Sequence, residues 1–282
     1  MKHDSLFLWW RLGCNNNKKT KKLDMNIFMA KHLGAECIAL AIYDDQLREA
    51  LGLGKPLKTI EERMKIMEQI KGVDLVFVVS SLQKDIVKES AEKAYKIYEQ
   101  NKKLENGKSK VKNKKFKLGY APGTYDLFHA GHLENLLLAA KDCEKLIVGV
   151  KSDELVREHK NRDPVISADE RMEILRHFKF VDGVYKYYVR DPHVALDYIK
   201  DRYKEKVEAI YLGSDLKKDF SYIGDVNIVY TPRDDKKMKE RSTTKYRLLY
   251  LSNEKNKKYK GEVKQNIKKN KEVDENKYID EW

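Results

Sequence analysis

The chain has 282 residues, long for one compact domain and comfortable for two. Its hydrophobic fraction of 41% is enough to build real cores, which argues against global disorder. A net charge of +13 points to acidic partners such as nucleotides, phosphorylated metabolites, nucleic acid or an anionic membrane surface, without choosing among them. Much of the positive excess sits in two lysine-rich runs, 102–117 and 255–271, which read as a solvated linker and tail. The three cysteines, Cys14, Cys37 and Cys143, form neither a CxxC zinc pattern nor an even disulfide framework. Reduced thiols in a cytoplasmic protein fit them best. The apolar run 6–10 is too short for a signal core or a membrane span, so no transmembrane segment is expected.

In chain order, the pattern predicts a helix near 26–32, a strand at 37–42, a helix at 60–70, a strand at 75–79 and a helix at 90–100. The glycine- and lysine-bearing stretch 101–115 reads as a basic linker. A strand at 116–120 follows, then a loop over 121–129 and a helix at 133–142 with Leu133, Leu136, Leu137 and Ala140 on one face. The β-branched run 145–150 is a buried strand. Ser167 and Glu170 make a capping box for a helix reaching about 179. Strands at 183–188, 208–212 and 226–230 and helices at 193–204 and 243–251 complete the series. Alternating strands and helices imply a parallel sheet covered on both faces. Beyond 252 the Lys/Asn/Glu-rich sequence has too little apolar content for a core.

The chain also repeats itself. At one constant offset, Asp45 falls on Asp153, Leu47 on Leu155, Pro56 on Pro164, Glu62 on Glu170, Arg63 on Arg171, Met64 on Met172, Ile66 on Ile174, and Val73-Asp74 on Val181-Asp182. The shared Pro, Arg and Asp positions are not those a hydrophobic pattern alone would match. The division expected is a first repeat over 1–100, a basic linker over 101–115, a second repeat over 116–252 and a basic tail over 253–282.

Two motifs in the second repeat carry chemistry. The first is GTYDLFHAGH, 123–132, which leaves a strand and opens a helix. That is where an α/β sheet presents its ligand crevice, and a helix N-terminus offers free N–H groups and partial positive charge to a phosphate chain. Gly123 and Gly131 permit close backbone approach. His129 and His132 are three residues apart, so both imidazoles lie on one side of the first turn. Each can donate a ring N–H to phosphoryl oxygens. The second motif is Arg241-Ser242-Thr243-Thr244-Lys245, a hydroxyl-rich helix start flanked by basic residues. Hydroxyls there either cap the helix or hold phosphate, and a triphosphate needs a second such turn.

GTYDLFHAGH together with STTK resembles the cytidylyltransferase family of HxGH nucleotidyltransferases. Glycerol-3-phosphate cytidylyltransferases look most similar, with ethanolamine-phosphate and choline-phosphate cytidylyltransferases as relatives. The blocks LIVGVKSDEL, ADERMEILRHFKFVDGV and YLGSDLKKDF extend the likeness over roughly half of the chain, about 116–251. The resemblance implies a Rossmann-like nucleotidyltransferase fold, present here as two tandem copies of which the first is degenerate. It implies CTP as nucleotide, a small phosphorylated alcohol as acceptor, and Mg2+. By the motifs, Thr124, Tyr125 and Asp126 lie against the nucleotide, and His129 and His132 are the signature pair. Lys160 matches the phosphate-contacting lysine region, although one extra residue blurs its register. Arg171 matches the arginine of the ER block and is expected to bind substrate. Asp182 and Asp215 are expected near base and ribose. Arg241, Ser242, Thr243 and Thr244 form the second phosphate clamp.

Two departures matter. An insertion separates Arg233 from Ser242, so Arg233 and Arg241 compete as the clamp arginine. Lys179 stands where glycerol-3-phosphate enzymes tend to have arginine. The first repeat carries Lys21-Lys22-Leu23-Asp24 in place of HAGH and has no STT clamp, so it reads as catalytically silent. By likeness to dimeric and fused relatives, a homodimer or an intramolecular pseudo-dimer is expected. Two other functions stay open at this point. One is adenylyl transfer from ATP on the same scaffold. The other is a basic pseudoenzyme or binding module, although no nucleic-acid fold signature is present.

Overall fold

The computed structural model describes residues 6–9, 37–51, 56, 58–106, 114–213, 223–231 and 243–252. It divides into two compact units. The first takes residues 1–113 with 177–179, and the second takes 114–176 with the remainder.

The first unit holds strands β1 (Leu6–Trp9), β2 (Ile38–Tyr43) and β3 (Leu75–Val79), paired in parallel in the order β1-β2-β3. Between β2 and β3 lie helices α1 (Asp45–Ala50) and α2 (Ile60–Met67), and α3 (Lys84–Asn106) follows β3. β2 is buried on both faces, as a strand inside a parallel sheet must be. Its alanines, with Leu75, Phe77 and Val79, pack against Ala91 and its neighbours on α3. Helix α3 runs six residues past the predicted 90–100, into the predicted linker, because NKKLEN carries good helix formers up to Gly107. The predicted helix at 26–32 lies outside the described residues.

The second unit is a five-stranded, all-parallel sheet in the order β6-β5-β4-β7-β8. Its strands are β4 (Phe116–Gly123), β5 (Cys143–Lys151), β6 (Gly183–Tyr187), β7 (Ala209–Gly213) and β8 (Asn227–Thr231). Its helices are α4 (Ala130–Asp142), α5 (Asp153–Lys160), α6 (Ala168–Arg176), α7 (Pro192–Tyr203) and α8 (Thr243–Ser252). Strands and helices alternate as predicted, and the parallel α/β fold is of the Rossmann-like kind. One face of the sheet, through Leu118, Tyr120, Ile147 and Ile210, packs against Ala195 and Ile199 of α7. Among the described residues, no helix is long and apolar enough to cross a membrane.

The strand order reverses at β4, whose neighbours are β5 on one side and β7 on the other. β4 pairs with β5 as far as Gly123, but with β7 only at Gly119 and Tyr120. Beyond Tyr120, therefore, the sheet splits between β4 and β7 at its C-terminal edge, where such folds open a crevice. This also explains why β4 continues through Pro122 and Gly123, where the sequence suggests a loop. The β7 side of those residues carries no ladder, so the missing Pro122 N–H costs nothing there.

The polar contacts of the two units correspond at the offset of the repeat. Asp44 and Ser152 cap α1 and α5 by accepting from Leu47 N and Leu155 N at 2.7 and 3.2 Å. Their own N–H groups donate to Val79 O and Tyr187 O. Asp74 and Asp182 accept from Ile38 N and Leu146 N at 2.8 and 2.7 Å. Thr59 with Glu62, and Ser167 with Glu170, form N-terminal caps on α2 and α6. Arg63 bonds Tyr43 O and Asp45, and Arg171 bonds Lys151 O and Asp153.

Candidate active site

The loop that leaves β4 is strained and packed. Tyr125 and Leu127 both have positive φ, 55° and 48°, a conformation that non-glycine residues hold only where surroundings enforce it. Both side chains are buried. The Tyr125 ring folds back over Gly123, where an added Cβ would meet ring carbons at 2.8 Å, so glycine is required there. The Tyr125 hydroxyl donates to Ala121 O at 3.0 Å, and burial pushes its pKa above the ordinary range. Expected against the nucleotide, Tyr125 is thus a wall behind the site: its ring meets His132 edge-on, centroids 5.3 Å apart.

His129 caps α4 from an extended backbone conformation. Its Nδ1 accepts from Gly131 N at 3.1 Å, so in the neutral ring the proton belongs on Nε2. Nε2 faces Thr243 Oγ1 at 3.3 Å. His132 stacks on His129 with centroids 3.9 Å apart and planes 23° from parallel. Both imidazoles therefore lie together at the N-terminus of α4, on the C-terminal edge of the sheet.

Thr243 opens α8, the second hydroxyl-rich turn. Besides His129, its hydroxyl meets Asp126 O at 3.4 Å. Tyr246, 2% exposed, lies 5.5 Å from the His129 ring. The Asp126 carboxylate is buried and accepts from Val165 N and Ile166 N at 2.9 and 3.0 Å, which ties the loop after β4 to the loop before α6. Thr124 is partly buried and passes its carbonyl to Arg171. Lys160 is half-buried at the end of α5, just before Asn161 in the left-handed region. Thr244 is exposed.

Two expected contacts are placed differently. Arg171 is 1% exposed, and its guanidinium donates to Ile166 O, Thr124 O, Lys151 O and Asp153. With its donors directed at the protein, it braces the loop after β4 rather than presenting a free face. Asp182 precedes β6 at the N-terminal edge of the sheet, where it caps the start of β5, on the opposite edge from the histidines. Three tyrosines in and just after β6, Tyr185, Tyr187 and Tyr188, do not converge into a cage for a cationic group. Tyr185 stacks on Tyr198 at 4.2 Å, Tyr187 is buried, and Tyr188 is exposed beneath Lys186. Asp215, Arg233, Arg241 and Ser242 lie outside the described residues.

Sequence reasoning missed Arg247. It donates to Asp163 O at 2.7 Å and lies 3.8 Å from the Asp126 carboxylate. Burial, and then the nearby Arg162, hold its pKa below the usual arginine range, against the pull of Asp126 and Asp163. The signal was available: Thr243, Tyr246 and Arg247 recur at helical spacing and share a face. Lys151, buried at the end of β5 with Nζ 3.3 Å from His159 Nδ1, was missed too. No sequence signal marks it, since a strand-end lysine ordinarily reads as exposed.

Among the described residues, no group of three or more His, Cys, Asp or Glu side chains is placed to hold a metal ion.

Residues 120–270 match a family model described as cytidylyltransferase-like. An FAD synthase of Pyrococcus horikoshii is 34% identical over 119 residues, covering 39% of this chain and 76% of that protein. An FAD synthase of Pyrococcus abyssi is 37% identical over 94 residues, covering 33% of this chain and 60% of that one. A probable ethanolamine-phosphate cytidylyltransferase of Encephalitozoon cuniculi is 38% identical over 73 residues, covering 26% of this chain and 23% of its own length.

Proposed function

The chain belongs to the cytidylyltransferase-like family of nucleotidyltransferases, and on that footing we propose that it transfers CMP from CTP to a phosphate monoester of a small alcohol. The acceptor is glycerol 3-phosphate or a similar polyol or amino-alcohol phosphate, and pyrophosphate is released. The observation that carries this is the approach of His129 Nε2 to Thr243 Oγ1, which joins two phosphate-directed helix starts 114 residues apart. The acceptor phosphate is already an anionic nucleophile and needs no general base. Its oxygen attacks the α-phosphorus of CTP, the bond from that phosphorus to the β-phosphate bridging oxygen breaks, and pyrophosphate leaves with the electron pair. The protein contributes position and charge stabilisation. His129 and His132 donate to α- and β-phosphate oxygens as negative charge grows there, and the N-terminus of α4 adds its partial positive charge. Thr243 and Thr244, with Ser242 and Arg241, hold the far end of the triphosphate, and Lys160 serves the phosphates from the other side. Mg2+, when bound, would screen the charge of the triphosphate.

The relatives named FAD synthase favour a second reading, adenylyl transfer from ATP to a phosphate monoester. Side chains that hold phosphates do not report the base. A pyrophosphate-release screen of CTP and ATP against glycerol 3-phosphate, ethanolamine phosphate, choline phosphate and flavin mononucleotide separates the two. Turnover with CTP supports the first reading, turnover with ATP alone replaces it with the second, and none with either ends both.

The first unit belongs to the same proposal as a degenerate, catalytically silent copy of the second. The matched caps, aspartates and arginines support this, since unrelated sheets have no reason to share polar wiring at one offset. Its use is structural.

A further inference from the structure

We infer that Arg247 is a positioning residue that sets the register of α8 against the histidine loop, so that Thr243 meets His129; the inference rests on the nucleotidyltransferase reading above. Helix α8 touches that loop along one face. Thr243 meets His129 and the Asp126 carbonyl, Tyr246 packs near the His129 ring, and Arg247 lies against the Asp126 carboxylate and Asp163 O. These contacts differ in kind. Tyr246 supplies buried area, which attaches the helix but is non-directional and tolerates sliding. The Thr243 hydroxyl makes two long contacts, at 3.3 and 3.4 Å, at the position to be controlled. Among these contacts Arg247 offers a planar, charged group, and it sits one helical turn from Thr243, roughly 6 Å along the axis.

Its surroundings make that group effective. The Arg247 and Asp126 side chains are 11% and 5% exposed, so water screens their attraction little. Asp126 is itself held, because Val165 N and Ile166 N already donate to its two oxygens. The acceptor Asp163 O belongs to the segment just before Val165 and Ile166. The guanidinium thus engages two parts of one pinned structure, the loop after β4 and the loop before α6, and α8 cannot slide without leaving one of them. Both contacts are made from one guanidinium nitrogen, Nη1, and a lysine has the charge but not the rigid plane that holds that nitrogen against both acceptors.

The experiment compares the full-length protein with Arg247→Met, which keeps the stem and removes the fork, and with Arg247→Lys. Each is measured for kcat and KM with the triphosphate it uses, for melting temperature, and for amide hydrogen exchange across 243–252. Register loss of about an ångström is expected to lower kcat of Arg247→Met by roughly a hundredfold. KM for the triphosphate should stay within about threefold, because the other phosphate contacts persist. Arg247→Lys should recover part of kcat, and exchange in α8 should rise in the order wild type, Lys, Met. Unchanged kcat in Arg247→Met overturns the inference. Equal losses in Met and Lys, tracking a fall in melting temperature, also overturn it, since that is the behaviour of a merely structural contact. If the wild-type protein turns over neither CTP nor ATP, the functional reading fails and exchange decides alone: unchanged protection of α8 in Arg247→Met then overturns the positioning role.

Discussion

The two units are wired alike and equipped differently. Each joins its second strand to the following helix through an Asp or Ser cap, and each ties a buried arginine to a strand-end carbonyl and an aspartate. Each has an aspartate capping the start of that strand from one strand over. Among the described residues, it is the second unit's buried arginine that also reaches a loop carbonyl, Thr124 O, beside two stacked imidazoles. The wiring therefore belongs to the scaffold, and the chemistry depends on what is mounted at its C-terminal edge. An Arg and an Asp shared by both units are evidence for fold, not for substrate contact.

The comparison can be broken at several points. The largest effect is expected from His132→Ala, which removes a donor to the developing charge. Turnover should fall by about a hundredfold to a thousandfold, roughly 3 kcal/mol or more, with little change in melting temperature. Near-normal kcat in this variant would remove the mechanism. Next come the two arginines. Arg171→Met should cost about 3–5 kcal/mol in a urea melt, because it leaves the carbonyls of Ile166, Thr124 and Lys151 without their buried donor. Arg63→Met should also lower stability, by less, since its partner Asp45 is half exposed. The two should diverge in the activity of the protein that remains folded, reduced for Arg171→Met and normal for Arg63→Met. Equal activities would show that the Thr124 contact does nothing for the site.

Smaller effects sharpen the same contrast. Asp182→Ala should cost about 1–2 kcal/mol through the lost bond to Leu146 N, and Asp74→Ala about as much through Ile38 N. Neither should alter KM for the nucleotide, and a tenfold rise in Asp182→Ala would return that residue to the site. The cap variants Thr59→Ala and Ser167→Ala should each cost about 1 kcal/mol in thermal melts. A marked difference between them would argue that the two helices are not equivalent.

Most strands and long helices of the second unit were legible because β-branched runs and helical periodicity are strong local signals. Helices α1 and α5 were not. Of the eight residues of α5 only Leu155 and Val156 are buried, too few to show a period. Strand β4 was read short because Pro122 and Gly123 look like turn residues, and only the divergence from β7 makes them acceptable in a strand. In the site, the imidazole pair and the threonine turn were visible as motifs. Arg171 was assigned to substrate by its match to the ER block, whereas its burial, decided by α6 packing on the sheet, was not legible in that match.

The sequence by itself determined the parallel α/β class, the constant offset at which residues of the two units match, and the residue types at the two helix starts. All three follow from local residue patterns, and a pattern needs no knowledge of distant partners. Only the tertiary structure decided which side chains meet. The approach of Thr243 to His129, the seat of Arg247 on Asp126 and the enclosure of Arg171 each join residues far apart in the chain. Such pairings are set by how strands stack in a sheet and where that sheet divides.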